Sequence, residues 1–255
     1  MIDLVVKDLS KNFGGLEVLK NVSFRINGPE LIGLIGPNGA GKTTLTNILD
    51  GAIKPNSGTV YLSGNRIDQL QPYEVARHGL GRTFQVTRSF RRMSVLENLM
   101  VPALALDRGL SRAEIDDKAM EVLEFLTIDH LRNEFGQSLS GGQQKLLELG
   151  RLLMLNPDVI ILDEPFAGVH PKLMEIIYKY IERVNSSGTA IILISHQMDS
   201  IFSLCKRLLV LNYGDLIADG PPDKVKNDPT VIKAYLGSDD EDDREEVEEG
   251  QKAND

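Results

Sequence analysis

The apolar run LIGLIG at residues 31–36 leads directly into Gly36-Pro-Asn-Gly-Ala-Gly41-Lys42-Thr43-Thr44, and KTTLTNILDG follows. The run shows no polar alternation, as expected of a strand buried on both faces. The segment after the turn reads as a helix that stops at Gly51. A glycine-rich turn between two such elements lets backbone N–H groups face inward around an anion, and the helix N-terminus adds a favourable dipole. Together the residues complete the phosphate-binding loop pattern. Gly36, Pro37, Asn38, Gly39, Ala40, Gly41, Lys42, Thr43 and Thr44 are therefore expected to cradle a nucleotide's phosphates. Lys42 would reach the β- and γ-phosphate oxygens, and the Thr43 hydroxyl would reach Mg²⁺.

The rest of the chain supplies a matching frame. LVV at 4–6, VSFRI at 22–26 and TVYLSG at 59–64 read as strands between Asn and Gly turn signals. From about Ser94 to Glu134 strand runs disappear. Ser111 with Glu114 forms a capping-box pattern ahead of Ile115, Met120, Val122, Leu123, Phe125 and Leu126 at roughly helical spacing. After Ser140, helices alternate with the strands VIIL at 159–162, AIILIS at 190–195 and LLVLN at 208–212. NYGD then turns the chain into LIADG as a hairpin. Such alternation implies an α/β fold with a mainly parallel sheet and ligands beyond the carboxyl ends of its strands.

Two further segments carry chemistry. In Ile161-Leu162-Asp163-Glu164-Pro165 the acids stand at the end of an apolar strand. Asp163 suits the metal side, and Glu164 suits the group that orients or deprotonates an attacking water. In Leu139-Ser140-Gly141-Gly142-Gln143 the serine reads as an N-cap whose glycines leave helix N-terminal amides open, a second anion site.

These motifs, in this order, resemble an ABC ATPase over residues 1 to about 237. The resemblance implies a P-loop NTPase core, an N-terminal antiparallel β part and an inserted α-helical subdomain at about 88–155, with ATP and Mg²⁺ as ligands. It implies two subunits facing head to tail, as a homo- or heterodimer, so that Ser140, Gly141, Gly142 and Gln143 of one close on ATP held by the other. Phe13 matches the aromatic that stacks on adenine. Gln85 matches a Mg²⁺ contact with a part in hydrolysis, and His196 a γ-phosphate contact that acts in hydrolysis. Where the family often has an aspartate after the acidic strand, this chain has His170, which puts that cross-subunit contact in doubt.

Finer resemblance points to the ATP-binding subunits of branched-chain amino acid importers, through GLGRTFQVTRSFRRMSVLENLMVPAL at 79–104, FAGVHP at 166–171 and DGPPDKVKNDPTVIKAYLG at 219–237. It implies a groove from Val86 to Leu99, with Arg88, Phe90, Arg91, Arg92 and Met93, that receives integral membrane subunits. The location implied is the cytoplasmic face of the cell membrane. Importers of urea or amides share much of this text. A soluble ABC ATPase acting on nucleic acid or ribosomes is the alternative of another class.

Composition weighs against that alternative and against direct membrane insertion. The net charge is −9, but residues 238–255 hold ten acidic and two basic side chains, so the body is nearly neutral and calls for no nucleic acid. That acidic tail is expected to be disordered. No apolar run approaches the ~20 residues that span a bilayer. The single cysteine, Cys205, allows no internal disulfide, and it reads, like His78 and His130, as a packing or surface residue.

Overall fold

The computed structural model describes residues 2–83, 89–106 and 109–235. Gln85, the segment 86–88 and the acidic tail lie outside the described residues. Ten strands form two sheets among the described residues. The first is antiparallel, in the order β2 (Leu16–Asn27), β1 (Asp3–Phe13), β4 (Ser57–Leu62), β5 (Asn65–Arg66). The second runs β10 (Asp215–Gly220), β9 (Arg207–Asn212), β3 (Leu31–Ile35), β8 (Ala190–Ile194), β7 (Val159–Asp163), β6 (Leu80–Arg82). From β9 to β6 every pair is parallel, and only β10 is antiparallel to its neighbour.

The unbroken apolar runs are explained by burial on two faces. Every residue of β3 and β8 is buried. The pleat sends alternate side chains to opposite faces. Leu31, Ile35, Ile160, Leu162, Ile191 and Leu193 join a core shared with the helices. Ile32, Leu34, Val159, Ile161, Ala190 and Ile192 join a second core shared with the antiparallel sheet and α1 (Lys42–Leu49).

The expected strands and the 208–220 hairpin form, the hairpin through Tyr213 and Gly214, both at positive φ as a tight two-residue turn requires. β1 and β2 extend well beyond the short runs visible in the sequence. Register shifts between Val6 and Leu9 and between Leu9 and Lys11 break their alternation. β6 has three residues, too few to carry a period, yet it completes the parallel sheet beside β7.

Between β6 and β7 the chain forms α3 (Val95–Leu106), α4 (Arg112–Phe125) and α5 (Gly141–Leu155). The Ser111–Glu114 capping box closes in both directions. A second box, Ser94 with Glu97, opens α3. Gly150 on α5 lets Leu99 of α3 and Val122 of α4 approach, where a Cβ would stand 2.7 Å and 3.2 Å from their side chains. The fully buried Asn98 explains part of the 79–104 text. Its amide donates to the carbonyls of Phe90, Met93 and Ser94 and accepts from the Phe90 N–H. Three helices flank the later strands: α6 (Pro171–Ser186), α7 (Met198–Leu204) and α8 (Pro222–Lys226).

One ionic bridge fixes the sheet to the helix after the loop. Arg82, at the carboxyl end of β6, donates to Asp163 at 2.9 Å and to Asp50 and Asn47, at the end of α1, at 2.7 Å and 2.6 Å. The side chains of Arg82, Asp50 and Asp163 are 6%, 11% and 13% exposed, so little water screens them. Replacing Arg82 with Met would leave two carboxylates dry and uncompensated. The expected loss is about 3–5 kcal/mol of stability, measured by chemical denaturation of the full chain.

Candidate functional site

The loop of residues 36–41 takes its shape from glycine. Gly36, Gly39 and Gly41 have φ of 149°, 73° and 103°. At Gly36 a Cβ would collide with the Leu211 carbonyl, and at Gly41 it would stand 2.8 Å from the Val18 carbonyl oxygen. The loop is thus pressed against β9 on one side and β2 on the other. Gly41 caps α1 without a side-chain acceptor, and the first turn holds no acid. Its N–H groups therefore keep their donor capacity for an anion. Asn38, Gly39 and Thr43 are exposed, while Pro37 and Ala40 are buried. The Lys42 ammonium donates to the carbonyls of Gly36 and Pro37 at 2.5 Å and 2.9 Å. Burial pushes its pKa down, and Glu164 and Asp163 oppose that shift. The ammonium and both carboxylates therefore share one electrostatic environment.

Asp163 ends β7, next to β8. Arg82 holds its carboxylate, and its N–H donates to the Thr83 hydroxyl at 2.9 Å. Glu164 follows in left-handed backbone, φ 48°, with its N–H bonded to the Ile194 carbonyl at 2.9 Å. That turn aims the side chain across the end of β8 toward His196, whose Nε2 lies 3.6 Å from Glu164 Oε1. Burial pushes the Glu164 pKa up, while His196, by its charge and its backbone N–H, pulls it back. Oε1 is buried and has no hydrogen-bond partner among the described residues. His196 itself is largely exposed.

Ser140 caps α5 as the sequence implied. Its Oγ accepts from Gln143 N–H at 3.4 Å, and Gln143 Oε1 accepts from Ser140 N–H at 2.9 Å. Gly141 at the start of the helix is exposed. Among the described residues, no hydrogen bond or ion pair joins residues 140–143 to residues 36–44. Phe13 ends β1 with its ring half exposed, beneath the Lys11 ammonium at 5.1 Å. His170 caps α6 through its ring, accepting from Lys172 N–H at 3.3 Å. Cys205 is buried, which pushes its thiol up to about 12.

The residues present fit Mg²⁺ held with a nucleotide. The exposed Thr43 hydroxyl and the Asp163 carboxylate belong to the set of hard oxygen donors such an ion takes, with phosphates and water completing it. Among the described residues, no group of three or more His, Cys, Asp or Glu could hold a metal by itself.

Several site residues were not visible beforehand. Arg82, which ends β6, and Thr83, which follows it, grip Asp163, and that strand is too short to detect. Lys145 of α5 reaches the Glu164 carbonyl. The Tyr235 hydroxyl is hydrogen-bonded to the backbone of Gly36, and burial raises its pKa to about 12. No local pattern marks these residues, because each acts on a partner remote in sequence.

Comparison with known proteins shows the family. Residues 19–167 match the ABC transporter family, and residues 216–241 match the branched-chain amino acid ATP-binding cassette transporter family. The lipopolysaccharide export system ATP-binding protein LptB of Escherichia coli is 38% identical over 239 residues, 94% of this chain and 99% of that protein. The high-affinity branched-chain amino acid transport ATP-binding protein LivG of Salmonella typhimurium is 38% identical over 248 residues, 92% of this chain and 97% of that protein. A solved ATP-binding cassette of an ABC transporter in its ADP conformation has a TM-score of 0.80 at 35% identity, covering 93% of this chain and 99% of its own. A dimeric cassette bound to ADP and Pi has a TM-score of 0.77 at 27% identity, covering 86% and 98%. With the phosphate loop, the acidic strand end and the capped glycine helix in one chain, this protein belongs to the ABC transporter family, as an ATP-hydrolysing subunit.

Proposed function

We propose that this subunit powers uptake of branched-chain or other hydrophobic amino acids. The observation that carries the reading is the match of residues 216–241 to the branched-chain amino acid cassette family. That segment holds β10, α8 and Tyr235, whose hydroxyl meets the phosphate loop at Gly36. The similarity to LivG supports the same reading. A second reading, export of a lipopolysaccharide, is supported by the equal identity to LptB. Uptake of urea or amides is a variant of the first.

The geometry supports the following roles, with that of Gln85 resting on the family resemblance alone. Lys42 and the uncapped amides of α1 bind the ATP phosphates. Thr43, Asp163 and Gln85 would hold Mg²⁺, which when bound offsets negative charge on the β- and γ-phosphates. Glu164 orients the attacking water and accepts its proton. Its buried Oε1 has a free acceptor position, and its raised pKa strengthens it as a base. His196, 3.6 Å away, contacts the γ-phosphate side and steadies Glu164. Phe13 offers an exposed ring for adenine.

A second cassette, identical or related, supplies its Ser140, Gly141, Gly142 and Gln143 to the same ATP. Among the described residues no hydrogen bond or ion pair joins residues 140–143 to the phosphate loop of the same chain, and dimeric cassettes occur in the family. Membrane subunits dock near Val86 to Leu99. There a cavity of about 660 Å³ opens between β6, α2 (Pro72–Arg77), α3 and α5, lined by Phe90, Val101, Pro102 and Arg151. No helix of the described residues is long and apolar enough to cross a membrane. On the family resemblance, we place the subunit at the cytoplasmic face of the membrane, held there through these partners.

Reconstitution into liposomes with the membrane proteins that copurify in detergent tests the substrate. ATP-dependent accumulation of labelled leucine, isoleucine or valine is expected. No amino acid uptake, with lipopolysaccharide moved instead, would favour the export reading. Lys42→Ala should weaken ATP binding about tenfold or more in equilibrium titration. Glu164→Gln should bind ATP with near-parent affinity, accumulate as a closed dimer in size-exclusion chromatography and lose turnover by about a hundredfold or more.

A further inference from the structure

Glu164 stands in a backbone conformation that glutamate disfavours, φ 48°. Such a residue keeps its conformation only where its surroundings over-determine it. The N–H side is fixed by the Ile194 carbonyl at the end of β8. The carbonyl side is fixed from a different part of the fold. The Lys145 ammonium donates to the Glu164 carbonyl at 2.7 Å and to the Ala167 carbonyl at 3.2 Å. It thus spans the turn from 164 to 167, which the Ala167 N–H closes more weakly onto Glu164 O at 3.3 Å. Lys145 is half-buried, and burial pushes its pKa down, opposed by Glu148 and Glu164.

Lys145 belongs to α5, the helix capped by Ser140. We propose that Lys145 is a positioning residue for Glu164: from the helix whose N-terminus faces the partner's ATP, it holds the left-handed turn that aims the Glu164 carboxylate at its own. The proposal rests on the roles given above to Glu164 and Ser140. A rigid helix carries a displacement of its N-terminus to Lys145 and on to the Glu164 carbonyl. Closure of the helix end on one nucleotide and placement of the carboxylate at the other then become one movement. The Lys145 ammonium donates to the Glu164 and Ala167 carbonyls, and in this proposal it acts through Glu164.

The test uses K145M and K145R in the full chain, with E164Q measured beside them. K145M keeps the aliphatic stem and removes the donors. It is expected to lower kcat by about tenfold to a hundredfold while the ATP dissociation constant stays within about twofold. K145R, whose guanidinium can donate to both carbonyls, is expected to recover most of that loss. Amide hydrogen exchange at residues 164–168 should speed up in K145M and not in E164Q. Should K145M fail to fold, K145Q is measured in its place with the same expectations. E164Q inactive with K145M at the parent kcat, or with K145R no better than K145M, overturns the proposal. E164Q at the parent rate would instead remove the role of Glu164 itself.

Discussion

β3, β7 and β8 are buried along their bodies on both faces, so charge has only their carboxyl ends to occupy. The phosphate loop leaves β3, Asp163 and Glu164 leave β7, and His196 follows β8. The sheet order places β8 between β3 and β7, so the three ends converge. Lys42 and Glu164 meet there although they are far apart in the chain. The site is therefore a consequence of parallel pairing, in which every strand presents the same end to one side.

Partial burial sets the chemistry of the cluster. Burial pushes Lys42 toward losing its charge, opposed by Glu164 and Asp163, and pushes Glu164 toward keeping a proton, opposed by His196 and Lys145. Such opposed shifts strengthen any anion or water that enters, because the groups already stand in poor solvent. Arg82 plays the complementary part. By sharing itself between Asp50 and Asp163, it lets two acids stand dry at the edge of the site and ties the far end of α1 to β7.

α5 serves two places at once. Its N-terminus carries the capping box and the exposed Gly141. A turn further on, Lys145 is anchored to the segment after β7. His170 reaches the same region from α6, as a helix cap. Where an aspartate often stands in this family, the imidazole therefore already has a structural partner within its own chain.

Much of this was legible in the amino-acid order. The glycines at 36, 39 and 41, the apolar runs, the Ser111 and Ser140 caps and the acids after VIIL are local patterns, and each depends on residues only a few positions apart. Glycine requirements, capping and two-face burial act at that range, so the chain determined its loop, its strands and its family. β6, the Arg82 bridge, the hold of Lys145 on Glu164 and the contact of Tyr235 with Gly36 were decided only by the tertiary structure. Each joins partners brought together by sheet order or helix packing. An arginine or lysine in the sequence carries no mark of the remote carboxylate or carbonyl that will satisfy it.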